Sequence, residues 1–534
     1  MKLRAALMIG ALAGSVAFAP APATDLSNHG VGTDNFTLVK NVPHSAGGRG
    51  SDIEFATYTF DTVDDVPASY FAPGRSGAAD ADPATAGIQK DIALAGTTGT
   101  RLYLYDVTVP AESYQTAAYE CPANQGDTQV FRRDGRVYTT LTVEDGGSAV
   151  NANVTCAKDA GLKPGQGTEG TARNYTGTFI IDITDPFAPK AVSFISVKEG
   201  SHNGTVHPSG MYFYNSNSSL ITEQAGIVSP TLGDGQPGIE YYDISDLQNP
   251  KRLGKLILPP IPASLGTESH DITFNAKGDR AYTAALSQGG IIDTSNPAAP
   301  KLLSSWVDPT INVWHQADPI TIGDRTLLVV EDEVAGAVGT GQCPNGGVHV
   351  FDVTGDPAVP TKLGYWNIDE PRVMAADGSP ATSTCTAHVF RLYPEAGLMT
   401  ISYYNGGVRV VDLNGLIGIG LGGREVVGNP TTNADPMVQL GFRRFPNSNS
   451  WAAKSPRIPV DADGNYGDFW VFSNDSRGLD VLKFTAGNAA AEAEAAAFSR
   501  WMTPAEAARV LPTNLSAQQV RDGLSPYSCL LKAF

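Results

Sequence analysis

A short segment recurs seven times along the chain, and this repetition constrains the fold more than any other feature. Each copy is an apolar, β-branched run that ends in Asp and leads, in most copies, through a proline-containing turn into a second apolar run; GGIIDTSNPAAPKLLSSW, beginning at Gly289, is representative. This pattern predicts a strand, a turn and a second strand. The seven aspartates are Asp106, Asp182, Asp243, Asp293, Asp352, Asp412 and Asp480.

The residues before each copy show how many strands a unit contains. The steps between the aspartates vary from 50 to 76 residues, which fits a fixed unit with loops of variable length. A glycine follows eight residues after His202, His270 and His315, and nine after His388. The unit is therefore a strand, a glycine turn, a strand, a loop, a strand ending in Asp, a proline turn and a fourth strand. Seven units of four antiparallel strands predict an all-β fold, the seven-bladed β-propeller.

The two ends of the repeat array predict how the ring closes. The seventh unit lacks its fourth strand, whereas the segment 35–42, NFTLVKNV, is a spare strand before the first unit. Pairing the spare strand with the seventh blade leaves no open sheet edge. The propeller is thus expected to cover residues 35–484.

Two insertions and a C-terminal tail lie outside the bare unit. Residues 61–90 and 145–173 are expected to form surface loops, both on the face that carries the loops between second and third strands. Residues 485–534 are expected to form a helical tail, because AAAEAEAAAFSRWM is rich in alanine and because Thr503 and Glu506 match a capping box with proline at the first helical position.

The first residues predict export. Lys2 and Arg4 precede an apolar run, and an A-x-A pattern ends at Ala23, so residues 1–23 are expected to be a signal peptide and the protein periplasmic, secreted or at the cell surface. A membrane anchor is the alternative, although the run is short for a bilayer. No later stretch has eighteen consecutive apolar residues, so no membrane span is expected. The net charge of −18 disfavours nucleic acid as a partner.

Five cysteines in an exported chain favour disulfide bonds. Cys121 is expected to pair with Cys156, and Cys343 with Cys385, which leaves Cys529 over. The spacing Cys385-x-x-His388 would also allow a thiolate and imidazole pair for copper, unless the disulfide removes the thiolate.

The repeated core resembles the LVIVD-repeat proteins, which are exported or cell-surface β-propellers. The resemblance lies in GTFIIDITDPFAPK, GGIIDTSNPAAPK, GGVHVFDVTGDPAVP and GGVRVVDL. It implies the architecture and no particular reaction. The segments SLITEQAGIVSP and YYDISDLQNPKRLG are also similar to pieces of the selenium-binding, methanethiol-oxidase propellers. That second resemblance implies a metal.

Four histidines occupy one position of the repeat. His202, His270, His315 and His388 open the first strands of blades three to six. The first strands of a propeller line its central channel, so the four imidazoles are expected to converge there and to suit Cu, Fe or Zn. Loops after the second strands should reach the same face. The candidate second-shell or oxygen ligands are Glu223, Asp271, Glu331 and Glu333, with Tyr403 and Tyr404 in the equivalent loop of blade six.

A structural role is the alternative interpretation of these histidines. Each imidazole would then hydrogen-bond the loop of the next blade as a stitch between repeats. His207 and His349 are expected to be ordinary structural residues. The segment from Asp461 to Asn465 is similar to a calcium loop, but a hairpin turn fits its position better.

Three functional hypotheses follow. The leading one is an exported propeller that binds a small molecule or a protein partner through its loop-bearing face. The alternative is a metal-dependent oxidoreductase with Cu or Fe at the four histidines. The third is a structural surface or matrix protein. Motifs typical of serine hydrolases, zincins and nucleotide-binding loops are not found in the sequence.

Overall fold

The chain folds into seven small antiparallel sheets arranged as the blades of a β-propeller. The computed structural model describes residues 30–513 apart from 63–64, 72–87, 124, 145–151, 164–174, 198–199, 218–237, 260, 262–267, 323, 334–345, 369–385, 418–434, 446–447 and 489–496. Each blade has four strands in simple up-and-down order, and the first strand lies innermost. The predicted seven-bladed fold is confirmed.

The strand boundaries follow the repeat unit. Blades one to three contain Gly50–Phe60, Ile88–Thr97, Arg101–Asp106 and Tyr114–Glu120; Val130–Arg133, Arg136–Val143, Gly177–Asp182 and Lys190–Ser196; and Asn203–Val206, Tyr212–Ser216, Gly238–Asp243 and Lys251–Ile257. Blades four to six contain Asp271–Phe274, Arg280–Ala285, Gln288–Asp293 and Lys301–Val307; Trp314–Ile322, Arg325–Asp332, Val348–Asp352 and Thr361–Ile368; and His388–Tyr393, Leu398–Ser402, Val408–Asp412 and Val438–Arg444.

Blade seven is closed by the N-terminal strand. Its own strands are Ala452–Lys454, Phe469–Asp475 and Gly478–Phe484, and Phe36–Val42 pairs antiparallel with the last of these. The register runs from Phe36 opposite Phe484 to Val42 opposite Leu479. The ring is therefore joined by main-chain hydrogen bonds between its two ends, as the spare strand predicts.

The repeated aspartate holds the turn that follows the third strand. In six blades its carboxylate accepts a hydrogen bond from the main-chain N–H two residues later. The pairs are Asp106 with Thr108, Asp182 with Thr184, Asp243 with Ser245, Asp293 with Ser295, Asp352 with Thr354 and Asp412 with Asn414. This is the Asx turn that Asp favours. Asp480 of blade seven accepts instead from the side chains of Asn41 and Arg477.

The glycine turns of the repeat require a left-handed backbone. Gly135, Gly210, Gly278 and Gly397 have φ values of 74°, 71°, 75° and 65°, a region that residues with a Cβ rarely adopt. These turns join first to second strands and lie on the face opposite the histidines. The insertion between Phe60 and Ile88 joins the same two strands of blade one. The expectation that it lies with the loops between second and third strands is therefore wrong, whereas the insertion of blade two does lie between those strands.

Three further strands extend blades outward. Val31–Gly32 pairs with the outer strand of blade six, Ala497–Trp501 with that of blade five and Leu511–Pro512 with that of blade four. The expected C-terminal helix is thus wrong over residues 497–501, because the open edge of blade five supplies main-chain partners that outweigh helical propensity. The capping box is confirmed: it opens the short helix Pro504–Ala507.

Helical segments are few and short in the described part of the chain. The α-helical ones are Thr155–Asp159, Asn414–Ile417 and Pro504–Ala507, and the 3₁₀ ones are Ala68–Phe71, Pro110–Glu112 and Ala486–Asn488. Within this part of the chain, no helix is long and apolar enough to cross a bilayer.

The hydrophobic core lies in the interfaces between adjacent blades. Between blades four and five, the rings of Trp306 and Trp314 are 5.9 Å apart and those of Trp314 and Phe351 are 5.6 Å apart. A Cβ on Gly289 would lie 2.6 Å from Trp314, so the first glycine of the repeat makes room for the aromatic core.

One predicted disulfide is confirmed. Cys121, which follows blade one, bonds to Cys156 in the helix of the second insertion. Cys343, Cys385 and Cys529 lie outside the described residues, as do the predicted signal peptide and the tail beyond residue 513. The second disulfide, the signal peptide and the tail beyond residue 513 therefore stay predictions.

Candidate metal centre

The fold brings all four predicted histidines to one end of the central channel. His202 and His270 directly precede the first strands of blades three and four, His315 is the second residue of blade five and His388 the first of blade six. The main-chain N–H groups of His202 and His270 donate to Ser216 and to Ala284 of the neighbouring strand. The four rings therefore stand on the rigid inner strands rather than on mobile loops.

The imidazoles form a continuous, buried row. Ring centroids are 4.3 Å apart for His202 and His270, 4.0 Å for His270 and His315, and 4.4 Å for His315 and His388. Their exposed fractions are 9%, 4%, 3% and 1% along the row. Convergence at the channel, which the repeat position predicts, is what the structure shows.

Each histidine is held through its Nδ1 atom. Two acceptors are carboxylates and two are main-chain carbonyls of the following blade. The pairs are His202 with Glu144 Oε1 at 2.5 Å, His270 with the His315 carbonyl at 3.0 Å, His315 with Glu331 Oε2 at 3.1 Å and His388 with the Trp451 carbonyl at 2.7 Å. The two main-chain carbonyls can only accept hydrogen bonds, so they assign the proton of the neutral His270 and His388 rings to Nδ1 and leave a lone pair on each Nε2.

These contacts are compatible with both interpretations of the histidines, as stitches between repeats and as metal ligands. The bonds from His270 and His388 to the next blade are stitches between repeats, and they use Nδ1 alone. A carboxylate or carbonyl on one ring nitrogen is also the partner that a metal-ligating histidine usually has. The structural role of one nitrogen thus prepares the other nitrogen for a ligand.

The free nitrogens face one another across the channel. The Nε2 atoms of His202 and His270 are 2.7 Å apart, and Gln125 Nε2 lies 3.4 Å from His202 Nε2. Two lone pairs at this distance repel unless a cation or a proton lies between them. Two ligands about 2.1 Å from one ion and at right angles would be about 3.0 Å apart. The separation therefore suits two imidazoles that share a metal, and equally a single proton shared between the two Nε2 atoms.

Glu333 brings a carboxylate to the same end of the channel. It follows the second strand of blade five, and its oxygens lie 3.6 Å from His315 Nε2 and 4.0 Å from His388 Nε2. The Tyr404 hydroxyl donates to Glu333 Oε1, and the Tyr404 ring lies 4.7 Å from that of His388. Donor atoms of His270, His315 and Glu333 lie within 4.8 Å of one another, a spacing that could hold an ion.

Burial keeps three of the four imidazoles neutral. It lowers the pKa of His315 to about 4 and that of His388 to about 3, and together with the neighbouring imidazoles it lowers the pKa of His270 well below its usual range. A neutral imidazole is the form that binds metal. At pH 7 these three rings therefore need no deprotonation before they coordinate an ion.

The two glutamates of blade five respond to burial differently. Burial raises the pKa of Glu331 well above its usual range, and the charge of Glu333 adds to this. Burial also acts to raise the pKa of Glu333, but His315, His388 and Tyr404 outweigh it and the pKa is lowered. Glu331 Oε1 has no hydrogen-bond partner among the described residues. Glu333 is therefore the ionised carboxylate of the pair.

Some predicted site residues lie elsewhere. Asp271 points to a deeper level of the channel, where its carboxylate accepts from the Ile272 N–H. Tyr403 is buried against Trp366, and Tyr404 alone of the tyrosine pair reaches the histidines. Glu223 lies outside the described residues.

The calcium-like segment of blade seven is a hairpin turn. Asp461 accepts from the N–H groups of Asp463 and Asn465, and the flanking Val460 and Tyr466 form a bridge. The prediction of a turn is confirmed.

The sequence gives no signal for three further contacts. Glu144 follows the second strand of blade two, and Gln125 precedes the first strand of that blade; both reach His202. Trp451 supplies the carbonyl that holds His388, and its ring lies 4.6 Å from the His388 ring. The loop position of Glu144 is equivalent to that of Glu333, so aligning blades two and five by structure would have found it.

No family model matches the chain, and no curated protein matches it by sequence. Similar solved structures include a functionally unknown protein from Desulfotomaculum acetoxidans, with 14% identity over 60% of this chain and 78% of that one and a TM-score of 0.36.

Two further similar structures are a β-propeller domain and a gluconolactonase. The Cps50 (Swd1) β-propeller domain of Myceliophteria thermophila has 9% identity over 74% of this chain and 93% of that one, with a TM-score of 0.43. The periplasmic gluconolactonase PpgL of Pseudomonas aeruginosa has 10% identity over 60% and 78%, with a TM-score of 0.38. At these values the likenesses carry no inference about activity.

Proposed function

We propose that the protein is a metal-dependent oxidoreductase whose ion, iron or copper, is held by the Nε2 atoms of His202, His270, His315 and His388. The observation that carries the proposal is the arrangement of the ring nitrogens. All four Nδ1 atoms have hydrogen-bond partners, while the Nε2 atoms of His202 and His270 lie 2.7 Å apart. A row of stitches between blades would not require the remaining nitrogens to face one another.

The donor set favours iron or copper. Imidazole suits Zn, Cu, Fe and Ni, whereas Mg and Ca prefer oxygen ligands. Neutral imidazoles leave the charge of a bound ion uncompensated, and the ionised Glu333 carboxylate is the nearby group that offsets it. Such an ion, when bound, would supply one-electron chemistry and Lewis acidity.

The surrounding residues then have defined roles. The four imidazoles bind, and Glu144, Glu331 and two main-chain carbonyls orient them. Tyr404 donates to Glu333 and holds its carboxylate beside His315 and His388. Burial of the row excludes water from most of the site.

Elemental analysis of protein purified without a His-tag tests the proposal. We expect close to one equivalent of iron or copper, and its loss from the His270→Ala, His315→Ala double variant. His207→Ala is the matched control, because His207 bonds to Ser209 and Gly278 away from the channel, and it should keep the metal.

The identity and redox behaviour of the metal test the reaction class. An electron paramagnetic resonance signal that changes reversibly between ascorbate and ferricyanide would support an oxidoreductase. Stoichiometric zinc would contradict it, because zinc has no redox chemistry. A folded protein without metal would contradict the metal centre itself.

We also propose export and membership of the LVIVD-repeat class. The Cys121–Cys156 disulfide supports an oxidising compartment, and the repeated apolar runs that end in Asp, such as GTFIIDITDPFAPK and GGVRVVDL, support the class. Binding of a small molecule or a protein through the loop-bearing face also remains a prediction, and the cavity described next supports a small molecule over a protein.

A further inference from the structure

A cavity of about 210 Å³ continues the channel from the histidine centre. His315 and His388 form part of its wall, and all seven blades contribute residues from their first strands or from the segments leading into them. A cavity of roughly 150 Å³ holds benzene, so this one has room for a small organic molecule. It touches the proposed metal ligands, which places its occupant beside the reactive centre.

The wall of the cavity carries more acids than bases. It includes five carboxyl groups and two cationic side chains. The carboxyls are those of Asp52, Glu54, Asp127, Asp271 and Asp318, and the cations are Arg391 and Lys454.

Both cations are already neutralised within the wall. Lys454 Nζ lies 2.7 Å from Asp52 Oδ1 and 2.7 Å from Glu54 Oε1. Arg391 donates to both carboxylate oxygens of Glu54. An anionic ligand would have to displace these carboxylates.

Three carboxyl groups remain without a cation. Asp127 accepts from the Gly204 N–H, Asp271 from the Ile272 N–H and Asp318 from Thr273 and Gln316. None of the three makes an ion pair with a described residue. Partly buried carboxylates without a counter-charge are costly, so a cation in the cavity would be stabilised by them.

The shape of the wall favours an organic cation over a bare ion. In the described part of the chain, the group of three residues whose donor atoms all lie within 4.8 Å of one another is His270, His315 and Glu333, and it includes none of the cavity carboxyls. The carboxyls therefore surround a space instead of closing on a point. Trp451, whose ring lies 4.6 Å from that of His388, also lines the cavity and offers an apolar surface to the carbon chain of an organic cation.

We propose that this cavity is the substrate pocket of the metal centre and that it takes a small alkylammonium compound. That the occupant is a substrate rests on the proposed function. That it is an ammonium compound rests on the cavity alone. The carboxyls would hold the ammonium group, while its carbon chain would lie against Trp451 and Phe390 toward His315 and His388. Anions and neutral molecules of the same size would bind more weakly.

Calorimetric titration with three matched probes tests the charge preference. We expect n-butylammonium to bind at least about tenfold more tightly than 1-butanol, and butanoate not to bind. Asp127→Asn should weaken the binding of n-butylammonium about tenfold or more and leave the affinity for 1-butanol unchanged. Asp461→Asn removes an exposed acid from the turn of blade seven and is the control that should change neither.

A second variant protects the test from a folding defect. Asp318→Asn keeps the shape of the side chain beside Thr273 and Gln316. If Asp127→Asn does not fold, Asp318→Asn should weaken the binding of n-butylammonium in the same way. Equal affinity for n-butylammonium and 1-butanol, stronger binding of glycerol than of either, or folded variants with unchanged affinity would each overturn the ammonium pocket.

The same titration on metal-free protein separates this inference from the metal centre. Selective ammonium binding by a protein that takes up no metal would support the ammonium pocket and contradict the proposed metalloenzyme. A stoichiometric metal in a protein without charge selectivity would contradict the ammonium pocket alone. Metal content should be unchanged in Asp127→Asn and Asp318→Asn.

Discussion

The histidine level and the carboxylate level of the channel are built from the same inner strands, yet their polar groups have different partners. Every imidazole Nδ1 has a hydrogen-bond partner within 3.1 Å. At the carboxylate level, Arg391 and Lys454 pair with Asp52 and Glu54, and the other three carboxyls of the wall make no ion pair with a described residue. The Nδ1 atoms of the histidine level are therefore all hydrogen-bonded, whereas the carboxyls of the carboxylate level outnumber its cations.

Burial acts on both levels by disfavouring the charged form. It lowers the pKa of His315 and His388, and it raises the pKa of Asp127, Asp271 and Asp318. For an imidazole the neutral form is the one that binds a metal. For a carboxyl the ionised form is the one that pairs with a cation, so a cation that enters the cavity would displace the proton. The two levels thus suit two different positively charged partners.

Removing Lys454 should have the largest effect on stability. Lys454→Met leaves Asp52 and part of Glu54 buried without their cation, so we expect the free energy of unfolding to fall by about 3 to 5 kcal/mol. Urea denaturation would measure it. Lys483→Met, which breaks an exposed pair with Asp468, should cost less than about 1 kcal/mol. Similar costs for the two would mean that the carboxylate level does not need its cations.

The two levels should give opposite pH dependence in metal-free protein. The pKa of His315 is about 4 when folded and 6.5 when unfolded, so its contribution is lost as pH falls from about 6.5 to about 4. The pKa of Asp271 is about 7 when folded and 3.8 when unfolded, so its contribution is lost as pH rises from about 4 to about 7.

Variants at each level isolate these slopes. Relative to wild type, Asp271→Asn should gain stability as pH rises from 4 to 7, and His315→Asn should gain it as pH falls over the same range. At about 1.4 kcal/mol per pKa unit, each change is on the order of a few kcal/mol. Parallel pH curves for wild type and both variants in chemical denaturation would show that neither group is perturbed.

Glu331 tests the orientation of the histidine level. Glu331→Gln keeps the size of the side chain beside His315 Nδ1 but replaces the ionisable carboxyl with an amide, and we expect metal affinity to fall about 10- to 100-fold. Competition with a chelator would measure it. Glu112→Gln, at an exposed turn, should leave the affinity unchanged, and an unchanged affinity in Glu331→Gln would remove Glu331 from the site.

The smallest effect is expected at Tyr404. Tyr404→Phe removes the hydrogen bond to Glu333, so the free energy of unfolding should fall by about 1 kcal/mol. Metal affinity should fall a few-fold, because Glu333 is less well held beside His315 and His388. An affinity loss as large as that of a histidine variant would instead make Tyr404 itself a ligand.

The repeat made the architecture predictable because each signal has a local physical cause. Asp293 holds an Asx turn, Gly278 adopts φ of 75°, and Gly289 makes room for Trp314. Recurrence of these residues predicts the blade, and the shared position of the histidines predicts their convergence.

The remaining features depend on long-range pairing that has no sequence signal. The strand Ala497–Trp501 follows an alanine-rich segment and pairs with blade five through main-chain groups, which any sequence can supply. Glu144 and Trp451 reach the histidines from other blades, and their positions in the unit do not recur as residue types. The charge excess of the cavity emerges only when Asp127, Asp271 and Asp318 are brought around one axis.

X-ray absorption at the metal edge tests the central claim most directly. We predict a first shell of nitrogen or oxygen atoms at about 2.1 Å with the outer-shell scattering of three to four imidazoles, lost together with the metal in the His270→Ala, His315→Ala variant. A shell of oxygen alone, or one that survives this double substitution, would contradict a metal centre at the four histidines.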